Sequence, residues 1–308
     1  MRLRTGLAVL RRGDDEVQVG TDPRWAVRLT GLTPPEVEAL LARRLDAGPR
    51  TSALADELAL AGLAVPDDAP DALAWGLLGP GDEPAARTRR REAACVGVVG
   101  LGLTGLGVAA GLAAAGIGAV LLDDERPVRA ADVGAVGYRW SDVGRPRERA
   151  AARLLRDIAP AVDADGPATA DVLVVVESGA ADPARGERLV SLDVTHLSVV
   201  VREADIVVGP LVVPGAGPCL RCLDLHRTDL DPAWPLLLSQ LAGGDAAEPG
   251  PVATVAAGLA VAAVLGVVDG LAPVVGRAWE VGLPDAVPRE RSWVPHPRCG
   301  CAGLPDEP

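Results

Sequence analysis

The sequence predicts an α/β chain: a Rossmann-like, mostly parallel sheet with a structural zinc site, preceded by a small winged helix-turn-helix-like α+β domain. Three observations predict it. An apolar run at residues 95–99 meets the glycine-rich turn Gly100-x-Gly102-x-x-Gly105, and a second apolar run stops at Asp123-Asp124. Strand-like and helix-like segments alternate after that. A Cys-x-x-Cys pair, Cys219 and Cys222, is answered near the C-terminus by a Cys-x-Cys pair, Cys299 and Cys301.

The first elements alternate around turn residues. Runs at 6–12, 16–20 and 25–31 read as a small meander, with Gly13-Asp14-Asp15 as one turn. Thr33 as N-cap and Pro34 at the first helical position open a helix. Residues 51–63 and 71–79 read as two more. Residues 1–82 therefore form the winged-helix-like domain, 83–94 a linker, and 95–308 the second domain. In that domain, strands are expected at 95–99, 119–122, 171–176, 197–202 and 206–208, with a charged helix at 147–158 and a loop at 243–251.

Composition narrows the chemistry. With 308 residues, 49% of them hydrophobic, a sizeable core is available, and with no Phe and one Tyr it must be Val, Leu and Ala. All 30 basic residues are arginine, so no lysine is present to bind phosphate or form a Schiff base. A net charge of -12 without a basic face argues against nucleic acid and anionic membranes as partners. Arg87 and Arg89-Arg90-Arg91 read as a solvated linker. The charged N-terminal residues leave no apolar signal region, and the uncharged stretches 95–122 and 252–268 read as buried elements, so a cytoplasmic chain is expected.

The glycine turn is suited to phosphate. Gly100 and Gly102 let backbone approach a polyphosphate, Gly105 permits close helix–strand packing, and a helix N-terminus offers free N–H groups. Asp123 or Asp124 stands where a carboxylate accepts ribose hydroxyls. The same pattern also suits a tight βαβ turn that holds no nucleotide.

Cys219, Cys222, Cys299 and Cys301 supply a tetrahedral thiolate shell for zinc, with disulfides as the competing reading. His226 and His296 flank the knuckles as alternative ligands. Four sulfurs close the shell, which makes the zinc structural. Cys95, in the first strand, reads as core filler.

The glycine turn, the acidic strand end, "SDVGRPRERAAARLLRDIAP" at 141–160 and the paired knuckles together resemble the ThiF/MoeB/HesA family, of ubiquitin-activating type. The resemblance implies adenylation of a carrier protein's C-terminus with ATP and magnesium, and a homodimer. "VGPLVVPGAGPCLRCLDLHRTDLDPAWP" and "PHPRCGCA" are similar to one branch of it, the leader-peptide-binding partners of YcaO-type cyclodehydratases that make thiazole- and oxazole-modified peptides. That likeness implies a precursor peptide as partner, its leader added as a strand beside Trp25, Val27 and Leu29 with the helix 51–63 as the other wall. The wider family resemblance, taken as an active adenylating enzyme, implies charge at the phosphates from Arg139, Arg145 and Arg147 and a metal ligand from Asp182.

The chain departs from the active pattern. No Asn-x-x-Arg-Gln segment follows the ribose acid, the family's lysine is Arg147, and "VVVESGAADP" offers Glu177 and Asp182 out of register with the family's Asp-x-Thr-Asp. A degenerate adenylation site is expected. The alternatives are an active adenylyltransferase acting on a ubiquitin-like or sulfur-carrier protein and, third, an NAD(P)-dependent oxidoreductase, for which His196 is the lone acid candidate. DNA binding is disfavoured because the helix at 51–63 carries only Asp56 and Glu57 as charges.

Overall fold

The computed structural model describes residues 2–3, 7–24, 26–45, 54–55, 58, 63–65, 84–134, 137–164, 169–244 and 246–302. Two compact units make up the chain, residues 1–89 and 90–308.

The first unit pairs β1 (Arg2–Leu3) with β5 (Ala64–Val65) and builds an antiparallel sheet from β2 (Val9–Arg11), β3 (Val17–Val19) and β4 (Val27–Leu29), with β3 central. Val17 and Val19 alternate with Gln18, so both valines fall on the buried face beside Leu29. Helix α1 (Pro34–Leu41) packs Val37 and Leu40 into the same cluster. Its start follows the sequence signal: the Glu36 carboxylate accepts the Thr33 N–H at 2.7 Å, half of a capping box. Of the expected helix 51–63, Leu54, Ala55, Leu58 and Leu63 are described; the first three are helical and Leu63 is not. Trp25 and the expected helix 71–79 lie outside the described residues.

The segment 83–94, expected as a solvated linker, is instead helical over Pro84–Ala93 (α2). Helical spacing turns one side of the arginine run inward, and Arg91 is only 6% exposed. Its guanidinium forks onto Asp269 at 2.6 and 2.8 Å, which makes burial of this charge tolerable.

The second unit is built on β6 (Cys95–Val99), β7 (Ala119–Asp123), β8 (Val172–Ser178), β9 (His196–Val201), β10 (Asp205–Val212), β11 (Arg277–Gly282) and β12 (Arg289–Ser292). Their order is β12-β11-β10-β9-β8-β6-β7. β6, β7, β8 and β9 are mutually parallel, and β10, β11 and β12 extend the sheet antiparallel. β10 reverses direction because the short turn 202–204 closes only a hairpin, and it runs well past the expected 206–208.

Helices α3 (Leu103–Ala114), α4 (Arg147–Ile158), α5 (Pro183–Ser191), α6 (Leu220–Leu230), α7 (Trp234–Leu241) and α8 (Gly250–Val268) cover the sheet. Among the described residues α8 is the helix long and apolar enough to cross a membrane. Here Val252, Ala256, Ala260 and Val264, four apart, bury one of its faces in the core with Val96, Val98, Val174 and Val199. Each such valine contributes about 1.5–3 kcal/mol on burial. Strand order switches sides between β6 and β8, and a crevice opens there beyond their C-terminal ends.

Candidate nucleotide cleft and cysteine cluster

The glycine turn sits at this switch point. Gly100 takes φ +83°, and a Cβ there would meet the Val176 carbonyl at 2.2 Å. A Cβ on Gly105 would meet the Gly100 carbonyl at 1.8 Å. Both glycines are therefore needed to bring β6, β8 and the N-terminus of α3 together, as the spacing implied.

An open cleft of 620 Å³ adjoins the turn, lined among others by Gly100, Asp123, Asp124, Arg126, Glu177 and Asp182. Asp123 is exposed at the end of β7. Asp124 is not free for a ligand. Its carboxylate accepts the Leu101 N–H at 2.8 Å, Arg126 at 2.7 and 2.9 Å, and Arg147 at 3.1 Å. Burial alone would raise its pKa, but these bonds outweigh it and hold the carboxyl at about 2. Of the two candidate ribose acids, only Asp123 keeps its carboxylate open to the cleft.

Glu177 and Asp182 come together at the end of β8. Asp182 caps α5 by accepting the Ala184 N–H at 2.9 Å, and its own N–H points to Glu177 at 3.3 Å. Burial raises the pKa of Glu177, with Arg185 at 3.0 Å opposing. Arg139 is exposed at the start of a short 3-10 turn, its backbone N–H on Asp142. Arg147 departs from the place the resemblance gives it. At 3% exposure it is locked between Asp124 and Asp132 and presents no charge to a phosphate.

Glu248 was not singled out in the sequence. It lies 144 residues from Thr104, in the loop before α8, and no local pattern links the two. Its Oε2 accepts the Thr104 N–H at 2.7 Å, while Oε1 lies 1.9 Å from where a Cβ on Gly102 would stand. The carboxylate thus rests on the mouth of the glycine turn, where a helix N-terminus offers its positive end to an anion.

The four knuckle sulfurs converge. Cys219 and Cys222 are 3.9 Å apart, Cys219 and Cys299 3.6 Å, Cys222 and Cys301 3.3 Å, and all four lie within 4.8 Å of one another. Sulfurs ~2.3 Å from a tetrahedral zinc stand ~3.8 Å apart, so the cluster could hold that ion with no open position. Cys219 is the N-cap residue of α6, where the helix dipole favours a thiolate, while burial opposes it and pushes this thiol well above its ordinary value. The histidines have other partners: His226 Nε2 is 3.0 Å from the Val294 carbonyl and His296 Nε2 2.8 Å from Asp229. Both tie the segment before Cys299 to α6. Cys95 is buried in β6, and His196, 1% exposed, sets Nδ1 2.8 Å from the Val194 carbonyl.

No protein-family model matches the sequence, and no curated protein does. Solved structures do. E. coli MccB crystallised with ATP superposes with TM-score 0.69 at 18% identity, covering 98% of this chain and 99% of that one. The microcin C7 biosynthetic enzyme MccB in complex with N-formylated MccA gives the same values. PaaA matches with TM-score 0.69 at 17% identity over 94% of this chain and 98% of its own. The chain has the ThiF/MoeB-like fold over nearly its whole length.

Proposed function

We propose that the chain binds the leader of a ribosomal precursor peptide and presents it to a YcaO-type cyclodehydratase, with its own adenylation site degenerate. The observation that carries this reading is the reach of the fold likeness: it spans the N-terminal unit as well as the Rossmann-like unit, and the neighbour has been crystallised with a peptide, MccA. In the N-terminal unit β4 is an edge strand, hydrogen-bonded among the described residues to β3 alone. An extended leader adds there through main-chain bonds. Leu29 is buried and Val27 partly so, so these two hold the strand from inside and do not grip the peptide directly.

The inward-turned Arg147 supports degeneracy, since adenylation needs cations around the α-phosphate. The Cys219, Cys222, Cys299 and Cys301 cluster is assigned a structural zinc ion that ties the C-terminal segment to α6. The test is direct. Full-length chain is titrated with the labelled leader, and a cyclodehydratase is assayed on the full precursor with and without it. Tight leader binding and a rate that collapses when the chain is omitted are expected. No leader affinity, or an unchanged rate, overturns the reading.

One observation favours an active adenylyltransferase working on the C-terminus of a ubiquitin-like carrier. Asp123, Glu177 and Asp182 line the cleft, and on this reading the Asp182 carboxylate would be the magnesium ligand. Bound ATP and magnesium would supply an adenylyl group, with pyrophosphate as the leaving group; the chain's own part would be to orient the ribose through Asp123. Carrier-dependent exchange of pyrophosphate into ATP would establish this second reading.

A further inference from the structure

We propose that Glu248 determines which ligands the glycine cleft accepts: its carboxylate occupies the phosphate position and selects against polyphosphates. The inference rests on reading the cleft as a nucleotide site by descent, and it is independent of leader binding.

A glycine turn opening a helix binds anions because its N–H groups have no partner within the helix. Here one of these donors is taken by a group of the chain itself. The Thr104 N–H bonds Glu248 at 2.7 Å, and the other carboxylate oxygen lies over Gly102, where only the missing side chain leaves room for it. The carboxylate carries charge of the same sign as a phosphate, so the two compete for the same donor. A phosphate arriving beside it also meets repulsion.

The rest of the cleft adds to the discrimination. Arg126 bonds Asp124 and Arg185 bonds Glu177, so the two arginines of the cleft wall are engaged by its own acids. Asp123, Glu125 and Asp182 are further acids on that wall. A nucleoside meets none of this penalty, since its ribose is suited to Asp123 and it brings no anion to the turn. Glu248 sits just before Pro249, which is the N-cap of α8, so the helix anchors one end of the segment that carries it.

The experiment compares full-length wild-type chain with Glu248→Gln and Glu248→Ala by calorimetry, using ATP with magnesium and, separately, adenosine. Wild type is expected to bind ATP no tighter than adenosine. Both variants should gain affinity for ATP on the order of tenfold, with adenosine unchanged. An unchanged ATP affinity in both variants overturns the proposal. So does an equal gain for adenosine, which would mean a general opening of the cleft. Absence of nucleoside binding in all three proteins refutes the nucleotide reading of the cleft and this proposal with it, and leaves the leader titration to stand or fall separately.

Discussion

Arg147 places Nη2 2.6 Å from Asp132 Oδ2 and Nη1 3.1 Å from Asp124 Oδ2, with all three side chains almost wholly buried. This triad joins the start of α4 to the end of β7 and to the loop behind the glycine turn. Removing one member of a buried charge cluster leaves the others without compensation. Arg147→Ala is expected to lower unfolding free energy by about 3–5 kcal/mol in urea titrations. Arg147→Lys should recover only part of it, because an ammonium cannot reproduce the fork to two carboxylates. A loss under about 1 kcal/mol for the alanine variant would show that the triad does not hold the site together.

Acid should act on the same triad, through Asp124. The carboxyl of Asp124 is held at about 2, against an ordinary 3.8. A depressed folded-state value contributes stability that is complete above the unfolded pKa and is lost as pH falls through the folded one. Its contribution, about 2 kcal/mol, should disappear between roughly pH 4 and pH 2. Urea midpoints followed across that window should fall for wild type and fall less steeply for Asp124→Asn. Parallel curves would remove Asp124 from the acid response.

What could be read beforehand divides along chain distance. The glycine turn and both cysteine pairs were legible because their chemistry depends on spacing within a few residues: a Cβ clash at Gly105 and two sulfurs on one ion are local constraints. The partners of buried arginines are not local. Nothing near Arg91 announces Asp269, and nothing near Arg147 says that it turns inward to Asp132 instead of outward to a ligand. Strand β12, Arg289–Ser292, is exposed at every position, so it lacks the apolar alternation that marks a strand and exists only by pairing with β11. Glu248 combines both problems, an acid in a loop whose role appears only when the fold carries it to Thr104.

Tyr138 offers a probe of the glycine turn, because it is the single tyrosine in the chain. Its hydroxyl donates to the Leu101 carbonyl at 2.8 Å from a fully buried position. Burial pushes its pKa well above the ordinary value of 10.0, with the Arg147 cation opposing. A raised folded-state value means stability that is present below the unfolded pKa and lost as pH climbs above it. Tyrosinate absorbance should therefore appear only together with alkaline unfolding, never as a separate earlier step. Tyr138→Phe leaves the Leu101 carbonyl without this donor and should cost about 1–3 kcal/mol. An independent tyrosinate transition in folded protein would place the hydroxyl in solvent.

The cysteine cluster separates ligands from their supports. With Sγ atoms mutually within 4.8 Å, purified chain should carry zinc in proportion to protein, measured by plasma emission. Cys222→Ser and Cys301→Ser each remove a ligand and should lose the metal, and chelation of wild type should expose the segment 293–302 to protease. His226→Ala and His296→Ala are the discriminating variants. His226→Ala removes the tether to the Val294 carbonyl, His296→Ala removes those to Asp229 and to the Arg298 N–H, and both leave four sulfurs in place. They should keep full zinc content and cost about 1 kcal/mol each. Zinc lost from a histidine variant but kept in a cysteine variant would mean that a ring nitrogen belongs to the shell, and the all-sulfur assignment would fall.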